Sequence, residues 1–186
     1  DHRDLHLSLR RQRQMCIRDR FDPLLEGFIR VPFNDIKSIK NKASKYNSIV
    51  AILVESIQGE GGIVIPDENY LSDLRKICDD NKWLLMVDEV QSGMCRTGKW
   101  FAYQHSPIVP DVITIAKALG NGVPIGACLA KGQASEILTP GTHGSTFGGN
   151  FLSTSVALKV LDIMRDKYIC ANAKEMGDYF EEQPVR

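Results

Sequence analysis

A lysine and an aspartate each close an apolar run in this sequence, at positions where a charged side chain needs a reason. Lys117 follows "DVITIA" (Asp111–Ala116) and precedes "ALGNGVP". An amine held among apolar groups has its charged form disfavoured, which makes the neutral nucleophile available to attack carbonyls. On its own, Lys117 also fits a strand-end lysine whose amine snorkels to solvent. Asp88 lies in "WLLMVDEV" (Trp83–Val90). A carboxylate there is costly to bury without a positive or proton-sharing partner. "LLMVDE" has the outline of a Walker B strand as well, but that reading needs a G-x-x-x-x-G-K-[ST] loop, and the chain contains none.

Taken together, the two residues narrow the chemistry. A lysine that can form an imine, with an aspartate that can pair a protonated pyridine nitrogen, is the minimal equipment of a pyridoxal phosphate site. Two glycine-bearing stretches support it. "GNG" (Gly120–Gly122) lets backbone approach a ligand closely, although glycine in a turn has the same explanation. "HGSTFGGN" (His143–Asn150) offers the hydroxyls of Ser145 and Thr146 and backbone amides just before a helix, a surface suited to phosphate.

The elements that would position these residues alternate along the chain. "SIVAILVESI" (Ser48–Ile57), Trp83–Val90, Asp111–Ala116 and "IGACLA" (Ile125–Ala130) read as strands. "PDENYLSDLRKICDDN" (Pro66–Asn81) carries Tyr70, Leu71, Leu74, Ile77 and Cys78 at helical spacing, with Asp67 as its expected cap. "STSVALKVLDIMRDK" (Ser153–Lys167) reads as an amphipathic helix. Near-continuous apolar strands separated by helices predict an α/β fold, with a mainly parallel sheet and helices on both faces. In such sheets ligands collect beyond the carboxyl ends of the strands, which is where the polar motifs fall.

Composition excludes several alternatives. With 43% hydrophobic and 25% charged residues, the 186-residue chain is that of a globular protein of about one domain. Its 23 basic and 23 acidic residues cancel, so bulk charge gives no reason to expect a nucleic-acid or membrane partner. No apolar run approaches the roughly 20 residues of a membrane span. The five cysteines are odd in number and include no C-x-x-C pair, which speaks against a disulfide framework or a zinc site and fits a reducing cytosol. Residues 1–20 stand apart, with six arginines and no lysine. A basic arm or a transit peptide would share that bias, but Asp1, Asp4 and Asp19 sit badly with a transit peptide. This segment is expected to be non-native read-through or disordered, and the fold is expected within residues 21–186.

Four stretches carry a family resemblance: "VESIQGEGGIVIP", "VDEVQSGMCRTG", "DVITIAKALGNGVPIGA" and "HGSTFGGN", in that order. The chain resembles the subgroup III aminotransferases of fold type I, and within them the acetylornithine group. The resemblance implies a partial large domain that binds pyridoxal 5'-phosphate. By it, Lys117 would be the Schiff-base lysine, Asp88 the partner of the pyridinium nitrogen and Gln91 a contact of the cofactor's phenolic oxygen. Thr146 would reach the phosphate in the partner subunit of a homodimer. Glu60 would sit near the substrate amine, and Glu55 would be a structural carboxylate beside it. The implied reaction moves the terminal amino group of N-acetylornithine to 2-oxoglutarate, in arginine biosynthesis. Ornithine, succinylornithine and 4-aminobutyrate are the alternative donors.

The sequence departs from that family's usual pattern in places. Ser56 stands where proline is usual, Cys95 where glycine is usual, and Phe151 where proline commonly follows the asparagine. Cys95 is expected to fill space and not to act as a nucleophile. The family's phosphate cup, ring-stacking aromatic and substrate-carboxylate arginine have no counterpart in the chain. It is therefore expected to be a fragment that alone binds the cofactor poorly or not at all, the other reading being an inactive truncated product.

Overall fold

Short β-branched and aliphatic runs form a single sheet in the computed structural model, which describes residues 26–183. The strands are β1 (Ala51–Glu55), β2 (Leu84–Asp88), β3 (Val112–Ile115) and β4 (Ala127–Ala130), and they lie side by side in chain order. Each falls within one of the runs expected to be strand. The segment 1–20 singled out by composition lies outside the described residues. Residues 26–32 belong to a separate short unit without helix or strand, and one compact unit begins at Phe33.

β1, β2 and β3 are parallel, with Glu55 opposite Asp88 and Asp88 opposite Thr114. β4 returns antiparallel, with Ile115 opposite Ala127 and Val112 opposite Ala130. The sheet is thus mixed. A parallel return needs a crossover of about a dozen residues or more, and the short segment joining β3 to β4 carries only one 3₁₀ turn, Lys117–Leu119. The sheet is mainly parallel and accompanied by helices, as expected, and its two edges are open. Every residue of β4 is exposed, and Leu53 on the opposite edge strand is 57% exposed.

Among the described residues four helices accompany the sheet: α1 (Ile36–Lys45), α2 (Tyr70–Asn81), α3 (Phe151–Asp166) and α4 (Ile169–Glu182). Asp35 caps α1 by accepting from the Ser38 backbone N–H at 2.9 Å. α2 buries the apolar stripe read from the sequence, Tyr70, Leu71, Leu74, Ile77 and Cys78. Its start is different from expectation. Asp67 is not the cap: its carbonyl accepts from Tyr70 N at 3.0 Å, and the helix opens from Asn69 without a side-chain cap. α3 begins at Phe151, before the expected Ser153, because Asn150 accepts from Ser153 N at 2.9 Å and fixes the first turn. None of the described helices is long and apolar enough to cross a membrane.

Two features join distant parts of the chain. Asp111 Oδ2, at the mouth of β3, accepts from Arg75 Nη1 of α2 at 2.7 Å and from Leu85 N of β2 at 2.8 Å. Burial works against the Asp111 carboxylate, but these two donors and the Arg75 charge outweigh it and hold its pKa below the ordinary value. The second feature corrects the expectation drawn from cysteine count. Cys95 and Cys170 form a disulfide across 75 positions, with Cα atoms 4.6 Å apart. Met94 and Cys95 both take positive φ, 55° and 65°, the region that favours glycine. That turn brings Cys95 to the start of α4. Its burial also fits the space-filling role expected of it, at 1% exposure.

Two outcomes test these links. Alkylation of the folded, unreduced chain is expected to label exposed Cys128, to spare Cys78, whose thiol burial pushes up to about 12, and to leave Cys95 and Cys170 in one linked peptide. In the chain-entropy account a loop of that size is worth about 4.5 kcal/mol, which Cys95→Ser or full reduction would remove. For Asp111, a depressed folded pKa means stability present above the ordinary value of 3.8 and lost as pH falls through the lower folded value. Asp111→Asn is expected to flatten acid unfolding in that window and to cost about 2 kcal/mol at neutral pH, measured by urea titration.

Candidate active site

Parallel pairing aligns three polar residues at one end of the sheet. Glu55, Asp88 and Thr114 are register partners on β1, β2 and β3, so their side chains emerge on the same face where those strands end. The loops leaving these ends carry the other singled-out residues, as the carboxyl-edge rule anticipates.

Lys117 opens the 3₁₀ turn just past β3 with φ +43°, a left-handed conformation unusual for lysine. The turn is held by its own carbonyl, which accepts from Gly120 N at 3.1 Å and Asn121 N at 3.2 Å. Gly120 is required here, because a Cβ would collide with the Val123 carbonyl oxygen. Beneath the turn lies an apolar cluster of Met94, Cys95, Ile115, Leu119, Ala157 and Met164. It supports Lys117 from both sides in sequence and also floors the loop after Gln91. The lysine side chain itself is exposed, so the enclosing apolar pocket anticipated from sequence is not built by the described residues. Two concavities of about 450 and 440 Å³ lie elsewhere, along α4 and beside the start of α1.

Gln91 bridges the Glu60 backbone and the lysine amine. Glu55 Oε2 accepts from Gly59 N at 3.0 Å, and Gln58 pairs with Val64 through both backbone bonds, so residues 59–62 form a tight turn presenting Glu60. The Gln91 amide is assigned by its network, with its oxygen accepting from Lys117 Nζ and from Glu60 N, each at 3.0 Å. Gly59 makes that approach possible: a Cβ there would stand 2.6 Å from the Gln91 amide carbon and within 2.9 Å of both the oxygen and the nitrogen of that amide.

Asp88 is half-buried, and its Oδ1 accepts from Val90 N at 2.9 Å. Oδ2 accepts no hydrogen bond among the described residues and remains available to a donor. Ser145 and Thr146 are exposed in the segment before α3, and their side chains make no hydrogen bond among the described residues. The structure therefore brings Lys117, Gln91 and Glu60 into contact and puts Asp88 on the same sheet edge, but does not join Ser145 or Thr146 to them. The neighbour that sequence reading passed over is Glu89, which is fully buried. A signal existed: burial alternates along β2 at Leu85 and Val87, and continuing it carries Glu89 inward beside the outward Asp88.

The donor set suits a flat, anionic cofactor with a basic ring nitrogen: a lysine amine, a carboxylate with a free oxygen, an amide beside the amine and a Cβ-free approach. Comparison with known proteins agrees. The family model for class-III aminotransferases matches residues 2–184. Acetylornithine aminotransferase of Nitrosomonas europaea is 55% identical over 163 residues, which is 88% of this chain and 42% of that protein. Among solved structures, acetylornithine aminotransferase of Elizabethkingia anophelis superposes with TM-score 0.80 at 41% identity, over 86% of this chain and 41% of its own. Ornithine aminotransferase of Toxoplasma gondii, described with PLP at partial occupancy in its active site, gives TM-score 0.81 at 38% identity over 86% of this chain and 38% of its own. The chain thus spans about two fifths of the length of the relatives it matches.

Gly59→Ala tests the convergence directly. Only the flexible Gln91 end must move, so the melting temperature is expected to stay within about 2 °C. The Gln91 side-chain amide resonances are expected to shift as the contact with Lys117 is lost. Unchanged resonances would contradict the geometry.

Proposed function

Because the chain belongs to the class-III aminotransferases, we propose that it is part of the cofactor-binding large domain of a pyridoxal-phosphate-dependent transaminase, with residues 21–186 as the domain portion. The proposed reaction transfers the terminal amino group of N-acetylornithine to 2-oxoglutarate. The observation that carries it is the meeting of Lys117, Gln91 and Glu60 at the carboxyl ends of the parallel strands, beside Asp88. The 55% identity to the N. europaea acetylornithine enzyme supports that donor. Ornithine is the second candidate, supported by the equally close superposition on the T. gondii enzyme.

When bound, pyridoxal phosphate would supply an electron-accepting ring that stabilises the electron pair left as a proton leaves the substrate carbon. The chain's own residues would then have distinct tasks. Asp88, through its free Oδ2, would hold a proton on the ring nitrogen by charge and hydrogen bonding. Gln91 would orient the phenolic oxygen and the Lys117 amine together, since its amide already meets that amine. Lys117 would anchor the aldehyde carbon and, once released, move a proton at the amine-bearing carbon as general base and acid. Its left-handed turn sits beside the apolar cluster, and its amine already lies 3.0 Å from the Gln91 amide oxygen. Glu60, exposed on its turn, would meet the incoming amine. Thr146, whose side chain has no hydrogen-bond partner among the described residues, would hold the phosphate of a cofactor bound in a partner subunit, with Ser145 beside it, so the reading extends to a homodimer.

The test uses the chain expressed with the sequence that flanks it in its gene. Glutamate formation from N-acetylornithine and 2-oxoglutarate is expected, and Lys117→Ala is expected to lower it by about 10³-fold or more. A rate unchanged by Lys117→Ala would overturn the reading. A preference for ornithine over its acetylated form would move the assignment to the second donor.

A further inference from the structure

We propose that Glu89 is a positioning residue, a buried hub that locks the Glu60 turn and the Asp88–Gln91 loop into one unit. This rests on the reading of the site above. Glu89 has no exposed surface, and each of its polar atoms is used. Its carboxylate faces four donors. Oε1 accepts from Ser56 Oγ at 2.8 Å and Tyr103 N at 2.8 Å. Oε2 accepts from Ser92 Oγ at 2.7 Å and Ala102 N at 3.0 Å. Its backbone N–H donates to Thr114 O at 2.9 Å, and its carbonyl accepts from Gly93 N at 3.0 Å.

Those six bonds reach the three segments that carry Glu60, Gln91 and Lys117. Ser56 begins the connection that leads to Glu60. Ser92 and Gly93 follow Gln91 directly, and Thr114 lies on the strand that delivers Lys117. Ala102 and Tyr103 open the 3₁₀ turn Ala102–His105, which ends the loop after Gln91. A buried carboxylate is tolerated only when its lone pairs are met, and charge-assisted bonds of this kind are the strong ones. Two backbone N–H groups and two serine hydroxyls surround it, so each carboxylate oxygen accepts one bond of each kind. Gly93 is a glycine for the same reason: a Cβ there would stand 2.7 Å from the Glu89 carbonyl oxygen.

Ser56 gives this chain a tie of its own. Proline, the usual residue at this position in the resembled family, has no side-chain donor. The Ser56 hydroxyl is 2% exposed, and it adds a direct bond between the two loops that the proline form cannot make.

The experiment compares Glu89→Gln, Ser56→Ala and unaltered protein, each expressed with its flanking gene sequence. Amide hydrogen exchange is read first, without cofactor. Glu89→Gln puts an NH2 group where one carboxylate oxygen meets two donors, one of them a backbone N–H that cannot turn to accept, and is expected to speed exchange across residues 57–62 and 101–104 by about tenfold or more, with α2 unchanged. Ser56→Ala is expected to do the same more weakly, confined to residues 57–62, and keeps the test alive should Glu89→Gln fail to fold. With pyridoxal phosphate bound, both variants are expected to retain the linkage at Lys117, with a displaced pH profile of cofactor absorbance and a lower kcat at nearly constant KM. Exchange that is unchanged in residues 57–62, or that rises equally in α2, would overturn the proposal. If unaltered protein binds no cofactor, the functional reading fails, and the exchange data still decide whether Glu89 locks the two loops.

Discussion

The arrangement depends on holding a lysine in a conformation that lysine does not favour. A left-handed residue other than glycine costs on the order of 1–2 kcal/mol, and Lys117, Met94 and Cys95 all adopt one. The apolar cluster beneath them offsets this. Burying a side chain such as Met, Ile or Leu contributes roughly 1.5–3 kcal/mol, and Met94, Ile115, Leu119 and Met164 are each at least nine-tenths buried in it. The cluster therefore outweighs the backbone strain. Because it draws on the loop after Gln91, the turn after β3 and helix α3, it also sets the distance between the amide and the amine.

Two kinds of glue operate at different depths. The apolar cluster is non-directional and fixes where the Lys117 turn sits. The Glu89 hydrogen bonds are directional and fix how the neighbouring loops are rotated. Above both lies an open edge, where Lys117 and Glu60 are exposed and Asp88 keeps one oxygen unengaged. Such an arrangement supports chemistry at the sheet edge, since rigid parts lie below and reactive groups point away from them. Every residue of β4 is exposed, as are Phe147, Phe151 and Leu152.

Much of this was legible in residue order. The β-branched runs became strands, the stripe from Tyr70 to Cys78 became the buried face of α2, and Lys117 and Asp88 came to the same sheet edge. These features follow from local periodicity and from the geometry of parallel sheets. What escaped depends on long-range contact. The cap of α2 lost its side-chain bond because the Asp67 carbonyl closes a turn onto Tyr70 instead. The Cys95–Cys170 pairing joins elements 75 positions apart, and no count of cysteines could reveal that two left-handed residues aim one thiol at α4. β4 read as a strand, but its direction was set by the length of the connection. Glu89 was hidden by its neighbour, because Asp88 already accounted for the chemistry that "VDEV" suggested.

The central claim is that Lys117 is the residue that takes pyridoxal phosphate, with Asp88 and Gln91 arranged around it. Borohydride reduction of the chain in its complete gene product, after incubation with pyridoxal phosphate, traps the linked lysine for peptide mapping by mass spectrometry. The account predicts a single phosphopyridoxyl group on the peptide containing Lys117. A group spread over surface lysines, or found on any other lysine while Lys117 stays unmodified, would contradict it.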